Sequence, residues 1–203
     1  MVLEGGLRMK GHKWNQNYDL QVISFFNLGP RSSKFQKISI CHWNPPAIGV
    51  IMFCCDGPSI GNIGEAGFGV VVRDHLCQVL GTLTGGIGIA TNYVVEVYAL
   101  ICAAELAVQW NMHHIILKYD SKTVITEFAQ GQVPWFVRTR WVKAASKIGS
   151  IIFCHSYREA NFSADATAKR GAKLQDEERQ IFKGRPSHPA RIEMPGVNYY
   201  RFN

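Results

Sequence analysis

Ile51-Met52-Phe53-Cys54-Cys55-Asp56-Gly57 is a short apolar run that stops at a carboxylate and a glycine. Apolar runs of this length, bounded by turn residues, read as buried strands. A carboxylate at the buried end of such a strand needs a partner, because a lone buried charge is costly. Asp56 therefore either caps a turn or belongs to a charged site at the carboxyl end of the strand.

Downstream, Pro58 to Gly69 is a glycine-rich loop, with Gly61, Gly64, Gly67 and Gly69, feeding a second strand at 68–73. Asp74-His75 turns the chain, and 77–83 returns as a third strand that Gly85, Gly86 and Gly88 are expected to break. Three sequential strands with short turns make an antiparallel meander. The period then changes. Val95, Ala99, Cys102, Ala103, Leu106 and Trp110 predict an amphipathic helix over 92–110. Residues 115–120 form a fourth strand ending in Asp120, 122–129 a short helix, 136–148 another, and 151–154 a fifth strand. A last helix spans 163–170, with Ser163 as its N-cap and Gly171 just past its end. Enough chain separates strands one and four for a crossover, so they can lie as parallel neighbours. The fold class is α/β: a five-stranded mixed sheet, three antiparallel strands then two parallel, flanked by helices.

Upstream, residues 1–42 show no sustained period and are read as a poorly specified extension, with one candidate strand at 20–26. Pro45-Pro46 punctuates the chain and marks the start of a domain over 43–172. Residues 173–203 hold Pro186, Pro189 and Pro195 without a clear period and read as a tail.

The 203 residues suffice for one full core, and a hydrophobic content of 47% is ordinary for a globular protein. A formal net charge of +7 favours a polyanionic partner. None of the six cysteines forms a C-x-x-C pair; they read as reduced core residues, and a zinc site is not expected. No stretch approaches the length of a membrane span, and the first residues lack the order of a secretory signal, so the expected setting is intracellular, nuclear or cytoplasmic, with no membrane and no obligate protein partner.

Asp56 and Asp120 each close a strand at its carboxyl end, where ligands bind in such sheets. Glu96 lies one turn into the long helix and Asp165 in the first turn of the last one. Each acid alone has an ordinary reading as a turn, a cap, a helix starter or a solvated position. Taken together, four carboxylates in one place repel unless divalent cations neutralise them, and hard oxygen ligands suit Mg²⁺ or Mn²⁺. Two such ions about 4 Å apart are the usual apparatus of phosphodiester hydrolysis.

Order and local spelling resemble a type 1 ribonuclease H domain, and more narrowly the retroelement-derived, reverse-transcriptase-like domains abundant in plant genomes. The matching pieces are Trp43-Asn44-Pro45-Pro46, Asp56-Gly57, Gly61-Asn62, Ala66-Gly67-Phe68-Gly69, Val72-Arg73-Asp74, Thr91-Asn92 with Glu96, and Asp120-Ser121. The last and most specific is His155-Ser156-Tyr157-Arg158-Glu159-Ala160-Asn161 with Ala164-Asp165 and Ala168-Lys169. The resemblance implies a ribonuclease H-like fold and a metal-dependent endonuclease cutting the RNA strand of RNA–DNA hybrids, leaving a 5′-phosphate and a 3′-hydroxyl. It implies two ions, Mg²⁺ or Mn²⁺, held by Asp56, Glu96, Asp120 and Asp165, with Asp56 bridging both. Asp165 falls to the ion carrying the attacking water, Glu96 and Asp120 to the ion at the leaving oxygen. Glu96 lies 24 residues before Asp120, as the family's glutamate does, whereas its rival Glu105 lies only 15 before it. His155 matches the family's mobile-loop histidine, a proton shuttle or an aid to product release; a structural histidine closing the fifth strand is the other reading.

The resemblance also puts Asn62, Asn92 and Lys122 at the substrate, where the minor groove and 2′-hydroxyls distinguish a hybrid from DNA; the other reading of the two asparagines is as caps beside a tight glycine turn. Arg140, Lys143 and Lys147 form a basic stripe that either follows a phosphate backbone or is a solvated face. The sequence departs from the family at Cys55, Tyr93, Val95 and Lys122, none of them a metal ligand. Two other readings stand beside the nuclease: a catalytically silent nucleic-acid-binding module derived from a retroelement, and a structural fragment of a retroelement polyprotein.

Overall fold

In the computed structural model, the described residues are 37–202 together with Gln21 and residues 24–26. Ser39–Arg201 form one compact unit. The strand expected at 20–26 lies largely outside the described residues, and Gln21, Ser24 and Phe25 within it are helical.

The opening stretch folds as β2 (Ile51–Asp56), after β1 (Ile38–His42). Then come β3 (Ser59–Ile60), β4 (Gly64–Arg73), β5 (Val79–Ala90), α1 (Asn92–Gln109), β6 (His114–Tyr119), α2 (Lys122–Ala129), α3 (Arg138–Ala145), β7 (Ser150–His155), α4 (Phe162–Gly171), β8 (Arg179–Lys183) and β9 (Asn198–Phe202). The main sheet runs β7-β6-β2-β4-β5-β8, with β3 paired to β4, and β1 pairs with β9 apart from it. Strands β2, β4 and β5 are antiparallel, while β6 and β7 add in parallel to β2.

The five expected strands are present, and β3 and β8 enlarge the sheet to seven. Arg179-Gln180-Ile181-Phe182-Lys183 pairs antiparallel with Gly81–Gly85 at the sheet edge. Four of its five residues are exposed, so no buried face marks it as a strand in sequence. Strand β5 also outruns its expected end at Leu83. Gly86 does not break it: a Cβ there would meet the Gln175 carbonyl oxygen at 2.2 Å, so glycine admits the following chain close to the strand. Gly88, at φ +69°, lies at a register shift where the ladder slips against Ala66 and Gly67.

Alternation along β2 divides the core. Phe53 and Cys55 join Leu100, Leu106 and Leu117 on the α1 face, whereas Met52 and Cys54 join Trp43, Ala160 and Ala164 on the α4 face. Helix α1 is capped by Thr91, whose hydroxyl accepts from the Val94 N–H. It is long and apolar enough to cross a bilayer by length and composition, yet more than half of it is buried against the sheet, as befits a core helix. Helix α3 is shorter than the expected 136–148 because Pro134–Val137 turn before it and Ser146–Ile148 turn after it.

Helix α4 lies on β4 with no room between them. A Cβ on Gly69 would meet the Ala168 nitrogen at 2.3 Å, and one on Gly171 the Phe68 carbonyl oxygen at 2.6 Å. Gly171 is thus the last helical residue rather than a left-handed stop beyond it. Asn161, not Ser163, precedes the first turn, and Ser163 sits inside it.

Candidate active site

Parallel pairing of β2, β6 and β7 sets three carboxyl ends side by side. Cys54 pairs with Lys118, and Tyr119 with His155, so Asp56, Asp120 and His155 come to one edge of the sheet. Asp165 reaches the same edge from α4, and Glu96 from the second turn of α1.

Electrostatics reports the convergence. Burial first, then the charges of Asp120 and Asp165, push the Asp56 carboxyl up to about 8, against the pull of Arg158. Asp56 is buried, and its Oδ2 has no hydrogen-bond partner among the described residues. Burial also raises Asp120, with Asp165 adding to it and Arg158 and His155 opposing. Glu96 is raised by burial and by Asp120, while the Ser121 hydroxyl, donating to its Oε2 at 2.7 Å, holds it back. Asp165 goes the other way. Burial would raise it, but Arg158 donates to Oδ1 and Lys169 donates to Oδ2 at 2.6 Å, and together they keep the carboxyl below its ordinary range.

Cation charge is therefore spent on Asp165, while among the described residues none forms an ion pair with Asp56. The site is a set of acids rather than a closed cage: among the described residues, no three His, Cys, Asp or Glu side chains stand in metal-holding geometry. Glu105 belongs to a different cluster, bonded by Arg140 through two 2.8 Å hydrogen bonds and approached by Arg179 at 3.6 Å. Arg140 is thereby withdrawn from the expected basic stripe, which leaves Lys143 and Lys147 exposed.

His155 donates from Nε2 to the Asp120 carbonyl oxygen at 3.1 Å, and its ring meets Tyr157 edge-on. Since a carbonyl only accepts, this bond leaves Nδ1 as an acceptor in the neutral ring. Asn62 and Asn92 interlock. The Asn92 N–H donates to Asn62 Oδ1, and the Ser59 N–H donates to Asn92 Oδ1, each at 2.9 Å. Both amide oxygens are used within the protein, which leaves their Nδ2 groups as donors beside the site. Lys122 is exposed at the start of α2.

Sequence reasoning passed over Ser121, Asn161 and Arg158 as site residues. Asn161 and Arg158 stand inside the motif that carries the resemblance, where a cation and an amide so near Asp165 were the available signal. Asn161 Nδ2 donates to the Cys55 carbonyl oxygen at 2.8 Å, next to Asp56.

Residues 55–171 match the family described as reverse transcriptase-like. Among solved structures, the chain is 28% identical to ribonuclease H1 of the archaeon Halobacterium salinarum, with a TM-score of 0.56 over 60% of this chain and 96% of that one. It is 29% identical to an N-terminal ribonuclease H domain from Mycobacterium tuberculosis, with a TM-score of 0.56 over 61% of this chain and 93% of that one. It is 28% identical to LC11-RNase H1, from compost and solved with an RNA/DNA hybrid, with a TM-score of 0.52 over 60% and 96% of the two chains. No curated protein matches the sequence. With its ribonuclease H-like sheet and a family match over more than half its length, the chain belongs to the reverse transcriptase-like family.

Proposed function

We propose that the protein is a metal-dependent endonuclease that hydrolyses the RNA strand of RNA–DNA hybrids. The observation that carries this is Asp56: a buried carboxyl with an unpartnered oxygen, pushed up to about 8 by burial and two neighbouring acids. Such a group is short of positive charge, and hard oxygen donors clustered around it fit Mg²⁺ or Mn²⁺. Likeness to ribonuclease H1 structures, one of them solved with a hybrid, favours the same substrate.

Asp56, Glu96, Asp120 and Asp165 would hold two divalent ions. Bound cations supply Lewis-acid activation of water and neutralise charge at the scissile phosphate. The chain's own residues do the rest. Ser121 orients the Glu96 carboxylate through its 2.7 Å bond. His155 offers Nδ1 to take a proton while Nε2 stays anchored on Asp120. Asn62 and Asn92 present Nδ2 donors to minor-groove acceptors and 2′-hydroxyls, and Lys122 offers a charge to a backbone phosphate.

A duplex labelled separately on each strand tests this. With Mg²⁺, only the RNA strand of a hybrid is expected to be cut, leaving 5′-phosphate ends, and EDTA is expected to abolish cleavage. Tight hybrid binding without cleavage in Mg²⁺ or Mn²⁺ would instead identify a silent nucleic-acid-binding module.

A further inference from the structure

Glu193 lies between β8 and β9, and its side chain is wholly buried. Its Oε1 accepts from the Ser163 backbone N–H at 2.7 Å, and its Oε2 from the Ser163 hydroxyl at 2.6 Å. Ser163 is in the first turn of α4, two residues before Asp165. On its other side, Glu193 Oε2 stands 3.6 Å from Arg73 of β4, which is also wholly buried and lies over the Trp43 ring at 3.8 Å.

A carboxylate this deep persists only where donors and opposite charge converge on it. Both are here: a buried guanidinium, and the free N–H end of a helix whose dipole favours an anion. Glu193 thus does from far along the chain what a local N-cap does from the preceding residue. The Asn161 bond to Cys55 pulls the same turn toward β2. Two ties on residues 161 and 163 hold the turn that carries Asp165, one toward β2 and one toward β4 and the chain beyond β8.

We infer that Glu193 is a positioning residue for the acidic site: from outside the family-matched segment, its carboxylate fixes where Asp165 stands relative to Asp56. The inference rests on the metal-binding reading of the four acids. Truncation to alanine leaves the Ser163 N–H and hydroxyl without an acceptor and Arg73 as an unpaired buried charge, whereas glutamine keeps one of the two acceptor oxygens but loses the second and the pairing with Arg73. The first turn of α4 must then move or admit water, and Asp165 moves with it.

The test uses the full chain as Glu193→Gln, Glu193→Ala and Ser163→Ala, with Leu106→Ala as a variant weakened in the core away from the site. Three quantities are read at a temperature where each variant is folded by circular dichroism: Mn²⁺ affinity by calorimetry without substrate, Mg²⁺ half-saturation of hybrid cleavage, and amide exchange at residues 163–165. Glu193→Gln is expected to weaken Mn²⁺ binding and raise the Mg²⁺ requirement about tenfold, with KM for the hybrid unchanged and exchange at 163–165 accelerated. Leu106→Ala is expected to lower Tm and leave all three unchanged. If Glu193→Ala does not fold, Glu193→Gln and Ser163→Ala carry the test. Wild-type Mn²⁺ affinity and wild-type exchange in Glu193→Gln would overturn the inference, as would an equal change in Leu106→Ala. If the wild-type protein binds no Mn²⁺, the reading of the acids fails, and exchange at 163–165 alone then decides whether Glu193 holds the turn.

Discussion

The side-chain amide of Asn161 donates a 2.8 Å hydrogen bond to the carbonyl of Cys55, 106 residues earlier in the chain. Cys55 precedes Asp56 at the end of β2, and Asn161 precedes the helix that carries Asp165. One bond therefore links the backbone beside one acid to the backbone beside another. Asn161→Ala is expected to lose that link, to cost roughly 1–2 kcal/mol in urea unfolding, and to reduce hybrid cleavage beyond what the stability loss explains. Full activity in a destabilised Asn161→Ala would show that the link serves the fold alone.

The acids give the cation-free protein a definite pH dependence. Burial and its acidic neighbours raise Asp56 from 3.8 to about 8, so the fold favours its neutral form. That contribution is complete below about pH 4 and is lost as pH rises toward 8. Asp165, held low by Arg158 and Lys169 against burial, acts oppositely, its contribution disappearing only as pH falls below its ordinary value of 3.8. In EDTA, stability between pH 5 and 8 is therefore expected to fall with rising pH, by up to about 1.4 kcal/mol per unit. Asp56→Asn is expected to flatten this slope and to be the more stable protein at pH 8. Denaturant titrations of both proteins at pH 5 and pH 8 measure the difference; parallel curves would mean that Asp56 is already satisfied.

Helix α4 is seated by glycine. A Cβ on Gly69 would meet the Ala168 nitrogen at 2.3 Å and the Thr167 carbonyl carbon at 2.6 Å, both of them backbone atoms that cannot swing aside. Gly69→Ala is expected to push α4 off β4, cost roughly 1–3 kcal/mol, and weaken Mg²⁺-dependent cleavage by displacing Asp165. Thermal unfolding and a Mg²⁺ titration check the two halves of this statement.

Lys122 is exposed beside Asp120 and Ser121. As a phosphate contact, its replacement by alanine is expected to weaken hybrid binding and to reduce the slope of log K against log salt by about one. Stability is expected to stay within about 0.5 kcal/mol of the wild type. Unchanged salt dependence would remove Lys122 from the interface.

What the sequence could reveal followed from how local each signal is. The apolar run ending at Asp56, the helical period over 92–110 and the change back to a strand at 115–120 are written in consecutive residues, and they carry the parallel pairing that brings Asp56 and Asp120 together. Strand β8 was not legible because its pairing depends on the backbone of β5 rather than on an apolar face of its own. The glycines at 85 and 86 looked like strand breakers, since only the folded chain shows what approaches them. Glu193 has no local signature at all: an isolated acid among prolines becomes meaningful only when Arg73 and Ser163 surround it. Arg158 and Lys169 are visible in the motif, but a sequence does not show that both cations are committed to Asp165 while Asp56 has no ion pair among the described residues.

The most direct test compares the wild-type protein with Asp56→Asn on one RNA–DNA hybrid labelled on its RNA strand, in Mg²⁺. Wild type is expected to cut the RNA, and Asp56→Asn to show no more cleavage than wild type in EDTA. Equal cleavage by the two proteins would contradict the assignment of Asp56 to the catalytic centre, and with it the account of the four acids as a metal-binding site.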